Sequence, residues 1–165
     1  MADNGSLYPG FDMNFAKAMG SLCACADYVV PNITEAALMT GVEYKTEYDR
    51  AYVDLLLKNL SDIGCKNIIL TGISYREGYT GVVCYVDGEY SYYEHIKMPK
   101  GSHGTGDIYA SAFVGALMNG KNPYDSAKIA ADFAVECIVE TQKHNNHWYG
   151  AAFEPVLYKL IEMLK

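Results

Sequence analysis

Apolar residues recur along the chain with two different periods, and the alternation between them predicts the order of elements. Over residues 12–25, Phe15, Met19 and Leu22 recur at helical spacing and predict a helix with those three on one face. Tyr28-Val29-Val30 is a short apolar run ended by Pro31, which reads as a strand. Residues 34–39 predict a short helix closed by Gly41. The clearest helical pattern covers 46–63: Thr46 and Asp49 resemble a capping box, Val53, Leu56, Leu57 and Leu60 make one apolar face, and Gly64 is the stop. Ile68-Ile69-Leu70 is apolar without alternation, as expected of a strand covered on both faces.

The pattern then changes. Residues 81–86 and 89–98 read as two strands around Asp87-Gly88, a strong hairpin signal. After a Gly-rich turn, 108–118 predicts a helix capped by Gly120. Asn122-Pro123 starts another that runs to about residue 144, with Ala127, Ala130, Phe133, Ala134, Cys137 and Ile138 on its buried side. A last helix starts near Pro155 and carries Val156, Leu160, Ile161 and Leu164. Strands alternating with helices, plus one hairpin, predict an α/β fold with a mixed sheet and helices on both faces. No repeat or linker interrupts the pattern, so residues 1–165 read as one domain.

Composition narrows the function. Of 165 residues, 50% are hydrophobic and 20% charged, which is globular composition. The net charge of −7, with acids and bases interspersed, lacks the basic stripe of a phosphate-backbone binder, so no nucleic-acid partner is expected. No apolar run approaches the ~20 residues of a membrane span and no charged-then-apolar leader opens the chain, so no membrane partner is expected. Five cysteines, an odd number, suit reduced thiols and a cytoplasmic protein. Cys23-Ala-Cys25 lacks the second cluster of a zinc site and reads as packing. The fifteen tyrosines are spread out; a few line a pocket and most are amphipathic packing.

Four constellations carry chemistry. Gly104-Thr105-Gly106-Asp107 lies where the hairpin ends and a helix begins. Two glycines there let consecutive N–H groups converge, and the helix adds its positive end, which makes an anion hole. Asp107 would stand in the first turn, placed to take a proton from an attacking hydroxyl. On these four residues alone, a capped loop-to-helix junction explains Asp107 as well. Asn32 and Glu35 follow the first strand, three residues apart, and could hold Mg²⁺ through water or simply cap the next helix. Thr71-Gly72 ends the next strand at the same sheet edge, and Asp3-Asn4-Gly5-Ser6-Leu7-Tyr8 is a polar turn before the first helix.

Taken together, Asp3-Asn4-Gly5-Ser6-Leu7-Tyr8, Ala26-Asp27-Tyr28-Val29-Val30-Pro31-Asn32-Ile33-Thr34-Glu35-Ala36 and Gly104-Thr105-Gly106-Asp107-Ile108-Tyr109 resemble the pyridoxal/pyridoxamine kinases of the ribokinase-like superfamily, in order and in spacing. The resemblance covers essentially the whole chain. It implies a three-layer ribokinase-like fold and ATP-dependent phosphorylation of the 5′-hydroxymethyl group of pyridoxal, pyridoxine or pyridoxamine. It implies Asp107 as the base and Gly104, Thr105 and Gly106 as the anion hole. It further implies Glu35 and Asp3 around Mg²⁺–ATP with Asn32 in support, Thr71 and Gly72 near the nucleotide phosphates, and Tyr8 near the phosphate path. Family members tend to be homodimers, which is the expectation here.

Two departures matter. Some family members carry threonine where Val30 stands, which bears on a monovalent-cation or phosphate contact there. The family also has preceding βα units that supply most of the vitamin pocket, so this chain reads as a C-terminal portion, expected to bind ATP weakly and to lack turnover alone. The nearest rival is a hydroxymethylpyrimidine kinase of the same superfamily. That family usually carries cysteine where Asp107 stands, which favours the vitamin B6 kinases. A reading of another class is a non-catalytic nucleotide-binding or oligomer-forming remnant.

Overall fold

In the computed structural model of the chain, residues 1–99, 101–144 and 150–165 are described. They form two compact units, 1–94 and 95–165.

Unit 1 begins with a two-stranded ribbon, β1 (Ala2–Asp3) and β2 (Ser6–Leu7), whose Asn4-Gly5 turn has positive φ at both residues. Asn and Gly are the residues that tolerate that conformation in a tight hairpin. Then follow α1 (Met13–Cys23), β3 (Tyr28–Val29), α2 (Ile33–Thr40), α3 (Arg50–Asp62), β4 (Asn67–Ile73), β5 (Tyr79–Val86) and β6 (Glu89–Ile96). The main sheet has the order β3-β4-β5-β6, with β3 parallel and β5 antiparallel to β4. Asp87 and Gly88, both at positive φ, make the two-residue turn between β5 and β6. Gly81 on β5 permits a close approach: a Cβ there would lie 2.1 Å from the carbonyl oxygen of Tyr93.

The core of unit 1 joins α2, α3 and one face of the sheet. Val53, Leu56, Leu57 and Leu60 of α3 pack with Ile68, Leu70 and Ile73 of β4 and Val83 of β5. Each such buried aliphatic contributes about 1.5–3 kcal/mol relative to exposure. Ile69, Val82 and Cys84 project to the opposite face and are equally buried, so both faces of the sheet are covered, as the unbroken apolar run of β4 predicts.

Two helices of unit 1 differ from the sequence expectation. On α1 the buried residues are Ala16 and Gly20, while Phe15 and Leu22 face outward and only Met19 of the expected trio packs on the core. The reason is close packing: a Cβ on Gly20 would lie 3.3 Å from Ile63 Cδ1 and 3.5 Å from the Met39 carbonyl oxygen, so small residues define the interface. Helix α3 starts at Arg50 rather than Thr46, because Asp49 is its N-cap and accepts from the Tyr52 N–H at 3.0 Å.

Unit 2 contains α4 (Thr105–Met118), α5 (Pro123–Gln142) and α6 (Leu157–Met163), with a short 3₁₀ turn at Glu154–Val156. Helices α4 and α5 pack on each other, and Tyr109, Ala112, Phe113 and Ala116 of α4 and Ala127, Ala130, Ala131 and Ala134 of α5 are buried. Tyr109 donates to the Ala127 carbonyl at 3.1 Å. The last helix begins two residues after Pro155, and Val156 in the turn before it is the buried residue, while Ile161 is 56% exposed. No helix among the described residues is long and apolar enough to cross a membrane.

Candidate functional site

The end of β3 and the start of α2 form one hydrogen-bonded corner. Asn32 is the N-cap of α2, and its side-chain oxygen accepts from the Glu35 N–H at 2.8 Å. Glu35 returns the bond, accepting from the Asn32 N–H at 3.1 Å. The Asn32 amide also donates to the Ala2 carbonyl at 2.8 Å, which ties the β1–β2 ribbon to the corner. Thr34 holds the same ribbon by accepting from the Gly5 N–H at 3.1 Å. The other oxygen of Glu35 accepts from the Met1 ammonium at 2.7 Å, so a cation already lies against this carboxylate.

Thr71 joins the corner from β4. It bridges to Asn32 in parallel register, and its N–H donates to the Pro31 carbonyl at 2.9 Å. The following Gly72 interrupts the pairing with β5 as a bulge at φ +76°, is exposed, and would have open space around a Cβ. The Tyr48 hydroxyl donates to its carbonyl at 3.3 Å. The structure therefore brings Asn32, Glu35, Thr71 and Gly72 together at the carboxyl ends of two adjacent strands, the edge where α/β sheets bind ligands. Val30, half-buried, leads into the corner.

Asp3 and Tyr8 sit on and just after the ribbon. The Asp3 carboxylate is exposed and accepts from the backbone and side-chain amides of Asn4, at 2.9 and 3.1 Å. Tyr8 is 49% exposed, and its N–H donates to the Met1 carbonyl. No group of three or more metal-ligating side chains occurs among the described residues. Mg²⁺ needs less protein than that, since it keeps several waters and is completed by substrate phosphates.

In unit 2 the turn at 104–107 opens helix α4. Gly104 is the N-cap of α4 in the left-handed region, φ +79°, where glycine is favoured, and it supplies no side-chain cap. The N–H groups of Gly106 and Asp107 find no acceptor among the described residues. Thr105 turns its hydroxyl back to the Ser102 carbonyl at 2.6 Å, which fixes the loop. Open space surrounds the place of a Cβ on Gly106. Asp107 is exposed in the first turn and makes no cap hydrogen bond among the described residues.

Of the Cys23-Ala-Cys25 pair expected to pack, Cys25 departs, being exposed, whereas Cys65, Cys84 and Cys137 are buried, and burial pushes each of these three up to about 11. Cys23 is half-buried and also raised, by burial first and then by the Glu35 carboxylate.

A feature that the sequence signals only faintly is a tyrosine-lined cavity in unit 1, formed by Tyr48, Asp49, Arg50, Tyr75, Tyr90 and Tyr92. Only Tyr90 and Tyr92, two apart on a strand and therefore on one face, carry a periodic signal.

Comparison with known proteins places the chain in a family. The phosphomethylpyrimidine kinase family profile matches residues 11–152. A hydroxymethylpyrimidine/phosphomethylpyrimidine kinase of Aquifex aeolicus is 31% identical over 121 residues, covering 71% of this chain and 45% of the relative. A Bacteroides thetaiotaomicron structure described as a phosphomethylpyrimidine kinase superposes with a TM-score of 0.89 at 30% identity, covering 96% of this chain and 56% of its own. Pyridoxal kinase from Lactobacillus plantarum superposes with a TM-score of 0.87 at 27% identity, covering 99% and 59% respectively. This chain thus spans about half the length of these relatives. The fold is the mixed α/β fold of the pyridoxal kinases, and the chain belongs to the phosphomethylpyrimidine kinase family of the ribokinase-like superfamily.

Proposed function

We propose that this chain carries the nucleotide-side and general-base residues of an ATP-dependent kinase acting on the 5′-hydroxymethyl group of pyridoxal, pyridoxine or pyridoxamine. The observation that carries the reading is the start of α4, where two N–H groups without an acceptor among the described residues and the exposed Asp107 carboxylate share one turn. Phosphoryl transfer asks a protein for positioning and charge neutralisation, and this turn supplies both an anion seat and a base.

Asp107 takes the proton of the vitamin hydroxyl as its oxygen bonds to the γ-phosphorus, and the bond from that phosphorus to the leaving ADP oxygen breaks. Gly104, Thr105 and Gly106 shape the turn whose N–H groups hold the transferring phosphoryl oxygens. Glu35 and Asp3 balance the charge of Mg²⁺–ATP, with Asn32 orienting Glu35. Thr71 and Gly72 face the nucleotide phosphates, Tyr8 borders their path, and Val30 stands where a monovalent cation or phosphate contact would fall. Mg²⁺ supplies neutralisation of the β- and γ-phosphate charge.

The vitamin B6 reading is supported by Asp107 itself, because hydroxymethylpyrimidine kinases usually carry cysteine at that position. The Bacteroides relative was also solved in a form with pyridoxal, at 28% identity to this chain. The alternative, a hydroxymethylpyrimidine kinase, is favoured by the description of the Aquifex relative. The unpaired thiols fit a cytoplasmic enzyme, and a homodimer completes the proposal.

A turnover assay with Mg²⁺–ATP decides between the two. Pyridoxal, pyridoxine, pyridoxamine and hydroxymethylpyrimidine are offered to the 165-residue chain, alone and with the additional segment of its relatives supplied in trans or fused. The expected result is weak ATP binding without turnover by the chain alone, and B6 phosphorylation once the segment is supplied. Preferred turnover of hydroxymethylpyrimidine would overturn the substrate, and absence of both ATP binding and turnover in every form would leave the non-catalytic reading.

A further inference from the structure

The tyrosine-lined cavity of unit 1 shares no residue with the proposed phosphoryl-transfer machinery. Its volume is 490 Å³, and six residues line it: Tyr48, Asp49, Arg50, Tyr75, Tyr90 and Tyr92. Small-molecule sites run from ~300 to ~1,000 Å³, so this one suits a single substituted ring.

The walls are fixed by contacts that do not fill the space. The Tyr75 and Tyr92 rings meet edge-on at 5.0 Å between centroids. The hydroxyls of Tyr75 and Tyr90 hydrogen-bond to each other at 2.8 Å. The Tyr48 hydroxyl accepts from the Ser74 N–H at 2.9 Å and donates to Gly72, which locks that ring against the β4 bulge. Such a cage presents ring faces and edges that are already oriented, so a flat guest loses little to ordering the host.

The charged groups choose the guest. Arg50 lies over the Tyr90 ring at 4.1 Å, so the cation position of the cage is filled and a second cation would be repelled. Its guanidinium makes no hydrogen bond among the described residues and is held only by an exposed ion pair, Nε to Asp54 Oδ2 at 3.7 Å, which leaves its other N–H groups to a guest. Five planar N–H donors beside aromatic rings match an anion carried on an aromatic ring. Asp49, the acid on the lining, is committed to the first turn of α3 through the Tyr52 N–H.

We propose that this cavity binds a free single-ring aromatic anion, the ring packing among Tyr75, Tyr90 and Tyr92 and the anion on Arg50. The test is saturation-transfer NMR on the 165-residue chain without nucleotide, with phenyl phosphate, benzoate, benzyl alcohol and inorganic phosphate as probes. Phenyl phosphate or benzoate is expected to bind, and which of them binds more tightly identifies the anion class. Benzyl alcohol and inorganic phosphate should bind about tenfold more weakly, because each lacks one half of the recognised pair. Arg50→Gln and Tyr92→Leu should each weaken the aromatic anion by about tenfold, and Arg50→Lys, which keeps charge without the fork, should fall between. Binding that survives both substitutions, a neutral ring that binds equally well, displacement of the probe by ATP, or no binding of either anion would overturn the proposal. Labelled-tyrosine NMR of the unsubstituted chain guards against a variant that fails to fold. Signals of Tyr75, Tyr90 and Tyr92 must move with the probe, and movement confined to other tyrosines would also overturn it.

Discussion

Asn32 and Glu35 cap each other: the Asn32 side-chain oxygen accepts from the Glu35 N–H at 2.8 Å, and the Glu35 carboxylate accepts from the Asn32 N–H at 3.1 Å. A single pair thus starts helix α2 and aims a carboxylate along the carboxyl edge of the sheet. The helix-capping and ligand-holding readings of these residues are compatible, because the cap uses one carboxylate oxygen and leaves the other for a cation, here the Met1 ammonium.

Glu35→Gln separates the two roles. Glutamine can serve at the third helical position of a capping box, so the structural loss should stay near ~1 kcal/mol, mainly from the lost ammonium contact. Glu35→Ala removes both and should cost about 1–2 kcal/mol by urea denaturation. If Glu35 balances Mg²⁺–ATP, the Gln variant should also lose most of the difference in nucleotide affinity between Mg²⁺ and EDTA. Calorimetry that finds the Mg²⁺ dependence intact in the Gln variant would remove Glu35 from the metal assignment.

Gly104 and Gly106 should respond in opposite ways. Alanine at Gly104 is strained at φ +79° and should destabilise by about 1–2 kcal/mol. Alanine at Gly106 meets nothing within 4 Å and stands in a helical first turn, so stability should hold or rise by up to ~1 kcal/mol. If the turn seats the phosphates, nucleotide affinity should nevertheless fall for Gly106→Ala, because a methyl group is added beside N–H groups that have no acceptor among the described residues. Melting temperature and ATP affinity measured on the same two variants check this; unchanged affinity for Gly106→Ala would place the phosphates elsewhere.

The sequence made the sheet and its covering legible where one force dominates. The unbroken run Ile68-Ile69-Leu70 is buried on both faces, and the α3 stripe from Val53 to Leu60 packs on the core as its spacing requires. Asp87-Gly88 gave the hairpin because a two-residue turn with positive φ at both positions admits few sequences. Helix α1 was misread for a physical reason. Periodicity weights large apolar residues, whereas the α1 interface is set by how near two backbones come, and Ala16 and Gly20 decide that. Thr46 was preferred over Asp49 as the start of α3 because spacing alone does not show which oxygen reaches a free N–H. At the candidate site the motifs placed Asn32, Glu35, Thr71 and Gly72 at one sheet edge, while the absence of a side-chain cap on α4 needed the backbone. That a few tyrosines line a pocket was legible from their number, but which ones was not, since Tyr48 and Tyr75 come from loops without a period.

The buried thiols predict an alkaline loss of stability. Cys65, Cys84 and Cys137 are each raised to about 11 by burial, above the ordinary thiol value of ~8.5. As pH rises past ~8.5 the unfolded chain releases these protons first, so the contribution is full below that value and is lost as pH climbs through about 11. The urea midpoint should therefore fall between pH 8.5 and 11, and less steeply in a Cys65→Ala, Cys84→Ala variant. At pH 8 a thiol reagent should label Cys25 rapidly and the three buried cysteines only on unfolding. Rapid labelling of Cys84 in the folded chain would contradict its burial.

Asp107→Asn is the sharpest test of the base. The amide keeps the shape of the side chain, and Asp107 makes no cap bond that asparagine would lose, so melting temperature should barely change. Nucleotide affinity should also persist or rise slightly, because a negative charge leaves the neighbourhood of the phosphates. The amide cannot accept the hydroxyl proton, and losing a positioned general base costs ~10²–10⁴-fold in turnover. The measurement uses the form that phosphorylates a B6 vitamer, with kcat, ATP affinity and melting temperature read on both proteins. A drop in kcat with the other two unchanged assigns the base. A kcat within twofold of the parent would show that the proton leaves by another route, and Asp107 would then keep only its electrostatic place beside the anion hole.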